Sequence, residues 1–137
     1  MKAIIAAMLL WIGANTGYNV DIPHPGIKLV SQTELEYIYT HGTSMDQGAK
    51  LHAFYDTVDN IIYLPDTFDL YHVWNQGVLM HELLHYVQDQ NQVKFQCPAE
   101  MEREVWPLQR KYLWEYHGVR WEYDEMWYRL SSTCTTP

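Results

Sequence analysis

The sequence predicts an α+β domain in which a short antiparallel hairpin packs on one motif-bearing helix, with a second, acidic helix beyond it. Three observations predict it. Lys50 to Asp56 alternates with Leu51, Ala53 and Tyr55 on one side, and Ile61-Ile62-Tyr63-Leu64 reads as a second strand past the turn at Thr57-Val58-Asp59-Asn60. The run from Gly77 to Gln88 is apolar almost all round and contains His81-Glu82-Leu83-Leu84-His85. Pro98 then suits a first helical turn, and Glu100 and Glu102 suit the positive end of its dipole.

At 137 residues the chain has room for one core and not two. A composition of 47% hydrophobic against 19% charged residues is that of a globular domain. The net charge of −8 disfavours nucleic acid or an anionic membrane as partner, since either calls for a basic surface. Lys2, the uncharged run Ala3 to Ile12 and the small pair Gly13-Ala14 have the order of a secretory signal. Residues 1–14 are therefore expected to be a signal peptide and 15–137 the single domain; a short buried N-terminal helix is the alternative. The run is too short to anchor the mature chain in a bilayer. Cys97 and Cys134 are the only cysteines, and in an exported (periplasmic or secreted) protein such a pair is expected to form one disulfide. With no third cysteine, a Cys-based zinc site is disfavoured.

Taken in order, Asn15 to Val30 holds Gly17, Pro23, Pro25 and Gly26 and reads as an extended lead-in. Ser31-Gln32-Thr33-Glu34 is a capping-box pattern, with Leu35, Ile38 and Tyr39 following at helical spacing and Gly42 as the stop. His41-Gly42-Thr43-Ser44 is then a loop. After the hairpin, Asp66 to Asn75 is a loop or short turn, and the motif helix runs from about Trp74 to Gln90. In the next helix Met101, Val105, Leu108 and Tyr112 form an apolar stripe, while Glu100, Glu104 and Lys111 lie on another face. Pro107 is expected to kink it. Beyond Gly118, the spacing of Trp121, Tyr123, Trp127 and Leu130 fits strand or helix.

In a helix, His81 and His85 stand one turn apart and point the same way. Two imidazoles so placed can grip one Zn²⁺ at about 2.0–2.1 Å. Glu82 sits beside them without being a ligand and can accept a proton from a water that the metal activates. Burying these three groups in an apolar helix without partners is costly, which favours a metal over two merely satisfied histidines. A catalytic zinc needs a third protein ligand and an open position. Glu104 and Glu100, one turn apart on the following helix, are the candidates, and Glu102 is read as dipole compensation alone.

These residues resemble the gluzincins, the thermolysin-like zinc metallopeptidases, in their minimal single-domain forms. The match spans roughly Leu51 to Leu113. His85-Tyr86-Val87-Gln88 corresponds to a His-x-x-Gln ending of the motif, and Glu102-Arg103-Glu104-Val105 to a Glu-x-Glu-Ala-like string whose last Glu is the ligand. The resemblance implies a small zincin-like domain holding one Zn²⁺ per chain through His81, His85 and Glu104. Glu100 is then an outer hydrogen-bonding partner or the alternative ligand, and Glu82 the general base in hydrolysis of a peptide or protein substrate. The chain departs from the pattern at Val105, where a small residue is usual, at Pro107, and at Leu108, where thermolysin-like enzymes carry an Asp that holds the first His. The other large H-E-x-x-H branch needs a Gly and a His where this chain has Val87 and Asn91, and is excluded.

Donors for the oxyanion would come from Tyr112, Tyr116, His117, His72 or Tyr123. The Ile61 to Leu64 strand, as a free edge, would pair with an extended substrate. A non-proteolytic zinc-binding interaction module is the alternative function, and a metal-free structural domain the third.

Overall fold

The structure, a computed structural model, describes residues 1–41 and 50–135. Its architecture follows from the strand Ile61–Pro65 (β3). Ile62 and Leu64 are fully buried on one face and Tyr63 is buried on the other, as befits a strand covered on both sides. Phe54–Asp56 (β2) pairs with it antiparallel and Gly26–Val30 (β1) parallel, giving the order β1-β3-β2.

Three expectations are corrected here. Gly26–Val30 is a strand and not a lead-in; its partner is far away in sequence, and a parallel pair needs a crossover that no local pattern announces. The alternation beginning at Lys50 becomes strand only from Phe54. The Ile61 to Leu64 strand is the centre of the sheet and not a free edge, so its backbone is already occupied on both sides. The edge that lies against the motif helix is β2.

Between β1 and β2, Gln32–Thr40 (α2) starts as the capping pattern predicts, with Ser31 Oγ accepting from the Glu34 amide at 3.1 Å. It ends at His41 in a left-handed conformation, φ 54°; the expected stop at Gly42 and the loop residues 43–44 lie outside the described residues. Leu35 of α2 meets Val30 and Tyr63 and covers one face of the sheet. The other face receives the motif helix, Val73–Gln90 (α3), through Leu79, Met80, Leu83, Leu84, Tyr86 and Val87.

Residues 1–14, expected as a signal peptide, here form most of a helix, Lys2–Thr16. This helix must be counted as α1 of the core: Ile5, Met8, Leu9, Trp11 and Ile12 are buried with the apolar side chains of the motif helix. Trp11 Nε1 also donates to Glu115 at 2.9 Å, and Lys111 Nζ to Asn15 at 2.6 Å. A ten-residue apolar run fits a leader and a buried helix equally. Among the described residues no helix is long and apolar enough to cross a membrane.

The acidic helix has two parts, a 3-10 turn at Pro98–Met101 and the helix Glu102–His117 (α4). It runs on through Pro107. Proline removes the amide that would bond the Arg103 carbonyl one turn back, and the Tyr128 hydroxyl donates to that carbonyl instead. Tyr128 belongs to Glu125–Ser131 (α5), a short helix capped by Asp124, which settles the ambiguous tail. The Cys97–Cys134 disulfide joins the turn before α4 to the chain after α5.

Burying an apolar side chain of this size is worth about 1.5–3 kcal/mol, and a domain's whole stability is about 5–15 kcal/mol. Deleting residues 1–14 removes five such side chains. The truncated chain is expected to lose its cooperative thermal transition in circular dichroism. A sharp transition near that of the full chain would show instead that the remainder folds as a mature domain without α1.

Candidate metal centre

On α3, His81 and His85 point their Nε2 atoms at one place, 3.2 Å apart. The carboxylate of Glu102, at the start of α4, meets both: Oε1 is 2.8 Å from His85 Nε2, and Oε2 is 3.2 Å from His81 Nε2. Trp106, one turn on, donates Nε1–H to Glu102 Oε2 at 2.9 Å and fixes the carboxylate. These three residues are the metal-ligating cluster found among the described residues.

The far sides of both imidazoles are tied to amide oxygens. His81 Nδ1 meets Gln109 Oε1 at 2.7 Å, and His85 Nδ1 meets Gln88 Oε1 at 3.0 Å. An amide oxygen only accepts, so each Nδ1 carries the proton and each neutral ring presents an Nε2 lone pair to the centre. Three acceptors thus converge with no donor of their own among them. That arrangement calls for a cation, either a proton or a metal. Donors bound tetrahedrally to one zinc stand about 3.3 Å apart, which the observed separations approach. The donor set fits zinc.

Glu82, the remaining motif residue, is partly buried, and its carboxylate accepts the Tyr55 backbone amide of β2. It therefore sits between the sheet edge and the imidazole pair. A cavity of about 590 Å³ opens here, lined by Glu82, His81, His85 and Glu102 together with Phe54, Trp106 and other apolar groups.

The third acid differs from the expectation. Glu104 does not face the imidazoles; it accepts from Tyr18 Oη at 2.5 Å and from Gln88 Nε2 at 2.9 Å. Glu100 is turned toward the Gln96 amide at 3.1 Å and lies near Cys134 Sγ. Glu102, read from sequence as dipole compensation, takes their place. The buried face of α4 runs through Val105, Gln109, Tyr112 and Leu113, and Glu102 precedes Val105 by three positions on that face, whereas Glu104 is its neighbour a quarter-turn away. That spacing was the available signal. Gln88 entered the sequence reading only as the end of the His-x-x-Gln string, with no role, and Gln109 not at all, because a buried Gln announces no chemistry until its partner is known. None of the proposed oxyanion donors lines the cavity: Tyr112 and His117 both approach Gln76, Tyr116 stacks on Tyr112, Tyr123 lies beneath Arg110, and His72 precedes α3. Tyr39 and His52 are among its polar lining instead.

Fold and site together define a small α+β domain, with a three-stranded mixed sheet and five α-helices among the described residues, that carries a His-His-Glu cluster beside an open cavity. The chain belongs to the family described as a domain of unknown function (DUF6647), which it matches over residues 1–137. No curated protein and no solved structure matches it.

Without a metal, protons must serve as the cation. Burial works against charge on His81, but its hydrogen bond to Glu102 and the negative charges of Glu82 and Glu102 raise it from 6.5 to about 9. Burial likewise opposes ionisation of Glu102, yet the hydrogen bonds from His81 and His85 hold it well below the usual carboxylate range. Glu82 is pushed up, chiefly by burial. The raised His81 contributes stability that is complete below about 6.5 and lost as pH rises through about 9. The lowered Glu102 contributes stability present above the ordinary carboxylate pKa and lost in acid, whereas the raised Glu82 opposes folding once it must ionise. Metal-free protein is therefore expected to melt at steadily lower temperature from pH 6.5 to 9, an effect that calorimetry should find reduced in His81→Gln.

Proposed function

We propose that this protein is a zinc-dependent hydrolase, a metallopeptidase of zincin-like fold, with His81, His85 and Glu102 holding one Zn²⁺. The observation that carries the reading is the convergence of two imidazole nitrogens, 3.2 Å apart, on one carboxylate whose two oxygens lie 2.8 and 3.2 Å from them, with both imidazoles held Nδ1-protonated by amide oxygens. A bound zinc supplies a Lewis acid that polarises a carbonyl and renders water reactive near neutral pH.

Glu82 then acts as the proton carrier. Its place beside the cluster, and a pKa raised mainly by burial, suit a carboxylate that accepts a proton from the attacking water and delivers it to the leaving nitrogen. The β2 edge offers backbone groups along which an extended peptide aligns, and the adjoining cavity accepts its side chains. Trp106 and Gln109 keep Glu102 and His81 in place while the substrate binds. The disulfide suits an oxidising, exported location.

Elemental mass spectrometry on protein purified without added metal is expected to find one zinc per chain, lost in Glu102→Ala and kept in Glu82→Gln. Glu82→Gln is expected to lower cleavage of a mixed peptide library by about 10²–10⁴-fold. Absence of zinc from the wild type, even after incubation with it, would refute the proposal. Zinc binding with no cleavage by the wild type would point to a zinc-stabilised interaction module.

A further inference from the structure

Glu104 faces away from the imidazoles yet is joined to one of them by two hydrogen bonds. Gln88 is buried and donates Nε2 to Glu104 Oε1 at 2.9 Å and to the Met101 carbonyl at 3.0 Å. Both partners only accept, so the amide has one orientation, and its oxygen must face His85 Nδ1 at 3.0 Å. Glu104 is itself held by the Tyr18 hydroxyl, which donates to the same carboxylate oxygen at 2.5 Å.

We infer that Glu104 is a positioning residue for the metal centre: together with the Met101 carbonyl it fixes which end of the Gln88 amide faces His85, and so keeps the proton on Nδ1 and leaves Nε2 free to ligate. The two ends of an amide are nearly the same size. Turned over, Gln88 presents its NH₂ to Nδ1, which then becomes the acceptor, and the ring proton moves to Nε2, where it excludes a metal. A carboxylate in place of Gln88 would have no such ambiguity. It would, however, add a negative charge against His85 where Glu82 and Glu102 already stand. Glu104 keeps that charge one group further out and, with the Met101 carbonyl, still favours the Nδ1-protonated tautomer. His81 is held separately, by Gln109, and serves as the internal control. The role in zinc binding rests on the zinc reading above; the effect on the ring proton does not.

The test uses the full chain labelled with ¹⁵N-histidine, with zinc affinity measured by competition against a chromophoric chelator. The His85 Nδ1–H is expected in wild type and weakened in Glu104→Leu, where the Met101 carbonyl alone still holds the Gln88 amide, while the His81 Nδ1–H is unchanged in both. Zinc affinity is expected to fall about 10–100-fold in Glu104→Leu and in Gln88→Leu, and no further when the two are combined. Should the leucine variants not fold, Glu104→Gln and Tyr18→Phe decide, through a weakened His85 Nδ1–H and reduced affinity. A His85 Nδ1–H or a zinc affinity left unchanged by loss of the Glu104 carboxylate overturns the inference. If the wild type takes up no zinc but Glu104→Leu still weakens the His85 Nδ1–H, the zinc reading alone fails.

Discussion

Three lone pairs meeting without a proton of their own are the constraint on which this structure turns. His81 Nε2 and His85 Nε2 lie 3.2 Å apart, and each meets one oxygen of the Glu102 carboxylate, at 3.2 and 2.8 Å respectively. Such a concentration of acceptors in a partly buried place is unfavourable unless a cation occupies it. Everything that brings α4 against α3 therefore works against local electrostatics until a cation is present. The apolar contacts through Leu79, Leu83, Val105 and Tyr112 supply the opposing free energy. Gly77 assists, because a side chain there would meet Leu113 at 3.2 Å and hold the two helices apart.

The surrounding elements can be understood by what they hold still. α1 supports the far side of α3 and α4 and is followed at once by Tyr18, which reaches Glu104. The sheet presents β2 to Glu82 through the Tyr55 amide. The disulfide and the Tyr128 bond to the Arg103 carbonyl tie the C-terminal helix to the first turns of α4, where Glu102 begins. Arg103 adds a further link to the Ser132 carbonyl. A short, proline-containing helix start is in this way stapled at the place where the position of one carboxylate matters most.

Much of the design was legible beforehand for physical reasons that act locally. The Ser31 cap, the span of the motif helix, the strand at Ile61 and the likeness of Pro98 to a helix start all depend on residues within a turn or two of each other. β1 was not legible, because a parallel strand is defined by a partner it meets only after α2 and β2 have intervened. The expectation that Glu104 rather than Glu102 would lie against the imidazoles had another origin. It came from a resemblance in the string Glu102-Arg103-Glu104-Val105, whereas the face of α4 that is buried selects Glu102.

The sequence by itself determined that two histidines and a glutamate share one turn of a buried helix, that an acidic helix follows, and that the two cysteines form the only possible intrachain pair. These follow from helical periodicity and from counting. Tertiary structure decided which carboxylate lies against the two imidazoles, which amides meet the two rings, and which side chains the N-terminal helix packs upon. Those choices depend on the rotation of α4 about its axis and on contacts between residues such as Tyr18 and Glu104. Rotation and docking are set by the packing of whole surfaces, a property that no local stretch of sequence carries.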